Sequence, residues 1–265
     1  MTVPDPSIPS GHAVTQYATT SSKLAARLAI HNYNTHTEDW FVWASSRIPK
    51  TGSILEVGAG TGALWSHLPP KALSSITPLT LTDFSPAMCD ALRTTPISGL
   101  PNVSVQQCDA TSLPFASETY DTVIANHMLY HVDDPDSALA EFQRVLKPGG
   151  LLVIALNGLD HLDELLDIGA RVGRPSTIRN QARITAETAA EQIGRRFEVL
   201  NEERFPGAFR VPEAKPVLDY LDSLGEEDLD AEKKEVARRF VESRIQRDGA
   251  FEVTKNMVLF TARKA

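Results

Sequence analysis

Short apolar runs recur along the middle of the chain at Ile54–Val57, Leu79–Thr82, Val103–Gln107, Thr122–Ala125 and Leu151–Leu156, with helix-compatible segments between them. Strands alternating with helices predict βαβ units and a parallel sheet covered on both faces. Ahead of the sheet, Leu24, Leu28 and His31 stand at helical spacing after the polar run Thr19–Ser22, which supplies a helix start. Thr35 and Glu38 have capping-box spacing, and Trp40, Trp43, Ala44 and Ile48 follow on one helical face. Residues 13–50 therefore read as a helical cap, preceded by a poorly ordered stretch with Pro4, Pro6 and Pro9.

Beyond Asn157 the rhythm predicts helices over 160–172 and 185–195, then one long strand over Phe197–Val211. Pro212 opens a helical segment in which Ala214, Val217, Leu218, Leu221 and Leu224 mark one apolar face. Val236, Phe240, Val241 and Ile245 mark a second, and Phe251, Val253, Val258, Phe260 and Ala262 supply a final strand. The chain is thus expected to be one α/β domain over 1–265: a cap over 13–50, a core over 53–156, and a C-terminal part over 157–265 with a helical lid at 212–248.

Composition narrows this picture little. With 42% apolar and 23% charged residues the chain falls in the ordinary globular range, so disordered and fibrous architectures are excluded. The strongest apolar run, Leu151–Leu156, is far shorter than the roughly 18 residues a membrane helix needs. The first residues lack the basic-then-apolar pattern of a secretory signal, so a cytoplasmic protein without membrane association is expected. Cys89 and Cys108 form neither a CxxC pair nor a disulfide framework. The net charge of −8 points away from polyanionic partners, hence no nucleic acid. The lid segment 213–248, with 11 acidic and 7 basic residues, carries half of that charge and reads as a solvated outer face.

The chemistry begins at Ile54-Leu-Glu56-Val-Gly58-Ala59-Gly60-Thr-Gly62-Ala63, a strand running into a glycine-rich turn. Glycines there permit unusual backbone angles and let the main chain approach a ligand, and the following helix presents unpaired N–H groups and the positive end of its dipole. Gly58-x-Gly60-x-x-Ala63 also satisfies the dinucleotide fingerprint, so the loop alone says only that a nucleoside-like ligand sits at the end of strand one. Asp83 ends the second apolar run, where a carboxylate accepts both hydroxyls of a ribose, and Asp109 follows the third, where it faces an adenine amino group. Each such Asp also serves as an ordinary loop cap. None of the five tyrosines precedes a lysine by four positions, and Glu56 has no task in hydride transfer, which argues against a nicotinamide enzyme.

With these residues in place, 53–156 resembles the core of the class I S-adenosylmethionine-dependent methyltransferases, in the branch that includes ubiquinone and menaquinone biosynthesis enzymes. Glu56 two places before Gly58, Leu81-Thr-Asp83-Phe84-Ser-Pro-Ala-Met88, Cys108-Asp109-Ala110 with Leu113-Pro114-Phe115, Asp121–Ala125 with Asn126-His127-Met-Leu-Tyr130-His131, and Leu146-Lys-Pro-Gly-Gly150 are similar to that family's successive motifs. The resemblance implies a Rossmann-like, seven-stranded, mostly parallel sheet with helices on both faces, and S-adenosylmethionine as cofactor. It assigns Gly58 and Gly60, within the motif formed with Glu56, Ala59 and Gly62, to the methionine part. Asp83 goes to the ribose, Phe84 and Met88 to the adenine faces, Asp109 and Ala110 to the adenine edge, and Asn126 or its backbone carbonyl to the cofactor's amino group. Tyr17 either closes the methionyl carboxylate or packs.

Such a family transfers methyl by in-line displacement, the protein supplying orientation and exclusion of water. A base is needed only if the acceptor must lose a proton; His127 and His131, after the fourth strand, are the candidates, or else structural histidines. Without a Glu after His127 their i, i+4 spacing does not make a zinc motif, and no metal is expected. Trp40, Trp43 and Trp65 read as packing before substrate cage. The reading is a methyltransferase acting on a small molecule. The alternatives are a non-catalytic S-adenosylmethionine-binding partner subunit, or a methyltransferase of RNA or protein.

Overall fold

In a computed structural model that describes residues 23, 26–27, 29–175, 182–225 and 227–265, the apolar runs become strands whose alternate residues fall on opposite sides. The strands are β1 (Gly52–Val57), β2 (Ile76–Asp83), β3 (Val103–Gln107), β4 (Tyr120–Asn126), β5 (Leu146–Asn157), β6 (Glu198–Arg204), β7 (Phe209–Val211), β8 (Phe251–Val253) and β9 (Met257–Arg263). Seven form one sheet in the order β3-β2-β1-β4-β5-β9-β6, and β7 pairs with β8 apart from it. β1 to β5 run parallel, whereas β9 enters antiparallel between β5 and β6. This is the expected seven-stranded, mostly parallel α/β sheet.

The period of two along each strand builds the core. Val123 and Ala125 of β4, Leu152, Ile154 and Leu156 of β5, and Val258, Phe260 and Ala262 of β9 point to one side. There they pack on helices α5 (Pro135–Val145) and α7 (Ala186–Gly194). The intervening Ile124, Val153, Ala155, Met257 and Leu259 face the other side, against α1 (Trp40–Ser45), α2 (Ala63–Ser66), Leu73 of α3 (Pro70–Leu73) and Leu92 of α4 (Pro86–Arg93). A third apolar cluster joins α6 (Asp163–Arg171), α8 (Ala214–Ser223), α9 (Ala231–Asp248), β7 and β8, so the lid has a core of its own.

Several expectations fail for local reasons. Phe197–Val211 is two strands, because Pro206 cannot donate to a ladder and Gly207 takes φ +91°. The final strand is likewise split at Thr254–Asn256, and the two short pieces pair as β7 and β8. Asp39, not Thr35, caps α1, accepting from the Val42 N–H at 2.9 Å; Thr35 instead exchanges two hydrogen bonds with Ala208. On α9 the buried stripe is Ala237 and Val241, while Val236 is exposed. The Lys147–Gly150 turn is a bulge within β5, where Lys147 reaches Asp121 at 2.9 Å. Leu24, Leu28 and the run Thr19–Ser22 lie outside the described residues; His31 sits in a 3-10 turn, Ile30–Tyr33.

Candidate active site

β1 ends in a turn where Gly58, Gly60 and Gly62 have φ of +71°, +56° and +75°, the left-handed region that disfavours side chains. Two of these glycines serve close packing. A Cβ on Gly58 would lie 2.5 Å from the Cβ of Met128, and one on Gly62 would lie 2.9 Å from Leu92. Gly60 differs: nothing stands within 4 Å of where its Cβ would be. The helix after the turn is one turn long, Ala63–Ser66, and Pro69 and Pro70 prevent its extension. The dipole expected from the sequence is therefore slight, and the loop's own amides carry the site's polarity.

The carboxylate of Asp83 joins the first two strand tips. One oxygen accepts from the Gly60 N–H at 2.9 Å and the other from the Ser85 N–H at 2.9 Å. Burial raises its pKa, opposed by the N–H bonds from Ser85, Gly60 and Phe84. The third tip is tied on by the Cys108 N–H, 3.2 Å from the Asp83 carbonyl. Phe84 and Met88 follow Asp83, both half-buried, and Ser85 caps α4 by accepting from the Met88 N–H. Asp109 is exposed and turns its loop, accepting from both the N–H and the hydroxyl of Thr111 at 2.8 Å, with Ala110 buried beside it.

Glu56, the penultimate residue of β1, is 1% exposed. The Trp65 indole donates to it at 2.5 Å, which makes that tryptophan a polar partner as well as packing. Burial pushes the carboxyl up to about 7; the Trp65 bond opposes this and the Asp83 charge adds to it. Asn126, at the tip of β4, accepts from the Trp40 indole at 3.2 Å. The structure thus gathers Gly58–Gly62, Asp83–Met88, Asp109–Ala110 and Asn126 at the carboxyl ends of β1 to β4, where open α/β sheets bind ligands. Tyr17 lies outside the described residues.

His127 follows Asn126 with φ +53° and donates its backbone N–H to Ala155 at 3.0 Å. Both ring nitrogens are buried without a hydrogen-bond partner among the described residues, at a cost of ~1–3 kcal/mol per group. Burial, then His31 and His131, brings its pKa down to about 3, so the ring is neutral. Its ring centroid lies 4.7 Å from Trp40. His131 is half-buried, its ring 4.5 Å from Tyr130.

Beyond His127 lies a group that sequence reasoning did not assemble. The Lys255 ammonium, on a residue 5% exposed, sits 3.8 Å from the Phe205 ring centroid and 5.7 Å from that of Phe209, and donates to the Asn34 side-chain oxygen. Burial lowers its pKa to about 8. His31 and His161 approach Phe209 edge-on, at 5.0 and 6.4 Å. Burial, then Lys255, lowers His31 to about 4; burial, then His31, His127 and Lys255, holds His161 well below its ordinary range. Lys255 stands in the mixed stretch Phe251-Glu-Val-Thr-Lys255-Asn-Met257, where nothing in the local sequence marks it for burial. No group of His, Cys, Asp or Glu among the described residues is arranged to hold a metal ion.

Residues 55–154 match the methyltransferase domain family. The ubiquinone/menaquinone biosynthesis C-methyltransferase UbiE of Desulfotalea psychrophila is 39% identical over 116 residues, 43% of this chain and 44% of that one. The demethylmenaquinone methyltransferase of Renibacterium salmoninarum is 38% identical over 102 residues, 38% of this chain and 40% of its own. The chain thus spans less than half the length of these relatives. In fold it resembles the Bacillus halodurans C-125 protein BH2331, with a TM-score of 0.61 over 85% of this chain and 98% of that one at 20% identity. Residues 55–154 are accordingly a methyltransferase domain of the class I, S-adenosylmethionine-dependent kind, resembling the ubiquinone and menaquinone C-methyltransferases.

Proposed function

We propose that the chain transfers the methyl group of S-adenosylmethionine to a small organic acceptor. The observation that carries this reading is Asp83 bridging the glycine loop and the second strand tip, inside the matched domain. The donor set fits the cofactor. Each Asp83 oxygen keeps acceptor capacity for a ribose hydroxyl, Gly60 leaves open space beside the loop amides, and Asn126 presents a side-chain amide at the fourth tip. Phe84 and Met88 would flank the adenine, Asp109 and Ala110 would meet its edge, and Gly58, Gly60 and Tyr17 would hold the methionine end, with Glu56, Ala59 and Gly62 shaping the turn. When bound, S-adenosylmethionine supplies a sulfonium-activated methyl group.

The protein's own part is orientation and exclusion of water. The N-terminal cap and the lid of α8 and α9, acting with the core as one domain, would choose the acceptor. Of the two loop histidines, His131 takes the role of base where the acceptor must lose a proton. His127, neutral to about pH 3, is a poor base at pH 7 and serves as a neutral hydrogen-bonding group. A small acceptor is supported by the net charge of −8, which disfavours nucleic acid. Cytoplasmic location is part of the same reading; no described helix is long and apolar enough to cross a membrane. Calorimetry with S-adenosylhomocysteine tests the proposal: saturable one-to-one binding is expected, and a folded protein that binds none refutes it.

A further inference from the structure

We propose that Lys255, His127 and His161, walled by Trp40, Phe205 and Phe209, form an anion subsite for the singly charged oxygen group, carboxylate or phenolate, of a planar acceptor. This deepens the methyltransferase reading and rests on it. Several other lysines have acids beside them: Lys147 has Asp121 at 2.9 Å, Lys234 has Asp222 at 2.8 Å, and Lys264 has Glu118 at 3.9 Å. Lys255, more deeply buried than any of these, has no carboxylate within 4 Å among the described residues, and burial alone moves its pKa. Its polar partner is the neutral Asn34 oxygen. A buried ammonium facing only an amide and aromatic rings lacks the counter-charge that buried cations require. A ligand anion supplies it.

The neighbours fix how much charge and what shape. His161 Nδ1 accepts from the Asn256 N–H at 3.2 Å, so its proton sits on Nε2 as a donor. His127, neutral, carries one N–H donor and one acceptor, both unused. With one cation and two neutral imidazoles, the cluster balances a single negative charge; a dianionic phosphate would keep an unmatched one. Trp40 meets Phe205 edge-on at 5.5 Å and lies tilted at 4.7 Å from His127, giving an aromatic, apolar lining that favours a ring-bearing ligand. The cluster also abuts the cofactor loop, because the segment after Asn126 packs so closely on Gly58 that Met128 fills the place of a side chain there. The Asn34 oxygen now resting on Lys255 marks where a ligand oxygen would bond. Asn34 belongs to the cap, anchored through Thr35 to Ala208 at 2.9 Å, so ligand and cap compete for the same ammonium.

The test is binding, read by calorimetry on the full chain with and without S-adenosylhomocysteine. Benzoate and 4-nitrophenolate are the anionic probes, with benzamide and nitrobenzene as their neutral counterparts and phenyl phosphate as the dianion. At least one anionic probe is expected to bind about tenfold more tightly than its neutral counterpart, the better of the two naming the oxygen group, and phenyl phosphate is expected to bind no better than benzamide. Lys255→Met should erase the preference while S-adenosylhomocysteine affinity stays within about twofold, and Lys255→Arg should restore part of it. Equal binding of charged and neutral probes, tighter phosphate binding, or a preference that survives Lys255→Met overturns the subsite. Should Lys255→Met fail to fold, the wild-type ratio decides alone. Loss of S-adenosylhomocysteine binding would instead refute the methyltransferase reading, and the probe comparison on the unliganded chain would still judge the subsite.

Discussion

The tips of β1 to β4 and the cluster around Lys255 meet at the segment after Asn126, yet they are built of different materials. The first is made of backbone: left-handed glycines, loop amides and one carboxylate that ties two strand ends together. The second is made of side chains from five separate segments, the cap, the loop after β4, the loop after β5, the β6–β7 stretch with Phe205 and Phe209, and the link between β8 and β9. Their electrostatics also differ in sign. Around Glu56 and Asp83 burial raises carboxyl pKa values, whereas around His127 and Lys255 it lowers those of bases. Backbone-built sites accept one ligand in one pose, while a cluster of side chains on separate segments is free to change with the acceptor.

The largest expected effect separates the roles of the glycines. Gly60→Val, whose Cβ would enter open space, should cost only ~1–2 kcal/mol of stability from its φ of +56° while lowering S-adenosylhomocysteine affinity by roughly 10³-fold. Denaturant melts and calorimetry check the two halves of that statement. Asp83→Ala comes next: losing two charge-assisted hydrogen bonds of ~1.5–3 kcal/mol each should weaken binding by roughly 10²-fold or more, with no comparable change in probe binding at Lys255.

The titration pair has opposite slopes. His127 has a folded pKa of about 3 against 6.5 unfolded, so the unfolded chain binds more protons across that window. Its contribution to stability therefore falls on acidification, by ~1.4 kcal/mol per pH unit. His127→Asn, a residue tolerated at positive φ, should flatten the drop in melting temperature between pH 6 and about 4. Glu56 is raised from 4.5 to about 7, so the folded chain holds the extra proton and stability is lost as pH climbs between those values. Glu56→Gln should remove a decline of at most ~1.4 kcal/mol per pH unit over that range, read from melts at pH 5 and 7. Parallel pH profiles for the two variants would dissolve the contrast between the halves.

What could be read from the sequence follows the same division. Glycine spacing, strand runs and the acid at each tip lie within short local stretches, so Gly58, Gly60, Asp83 and Asn126 were identifiable before any fold was known. Lys255, His31 and His161 stand far apart in the chain and meet only through β9 pairing with β5 and the cap bridging to β7 at Asn34 and Phe209. Nothing local distinguishes a lysine destined for burial from a solvated one. Apolar residues continue on both sides of the strand breaks at Pro206–Gly207 and Thr254–Asn256, which masks them, and Asp39 rather than Thr35 caps α1 because Thr35 pairs with Ala208, distant in sequence. The sequence shows Trp65 only as a bulky apolar residue, while its indole N–H finds Glu56 only after β1 and α2 fold together.

The most direct measurement for the central claim, that the tips of β1 to β4 hold S-adenosylmethionine through Asp83, is calorimetric titration of S-adenosylhomocysteine into wild type and Asp83→Ala side by side. The account predicts one site on the wild type, weakened by roughly 10²-fold or more in the variant, with both proteins folded. Equal binding by the two would contradict it.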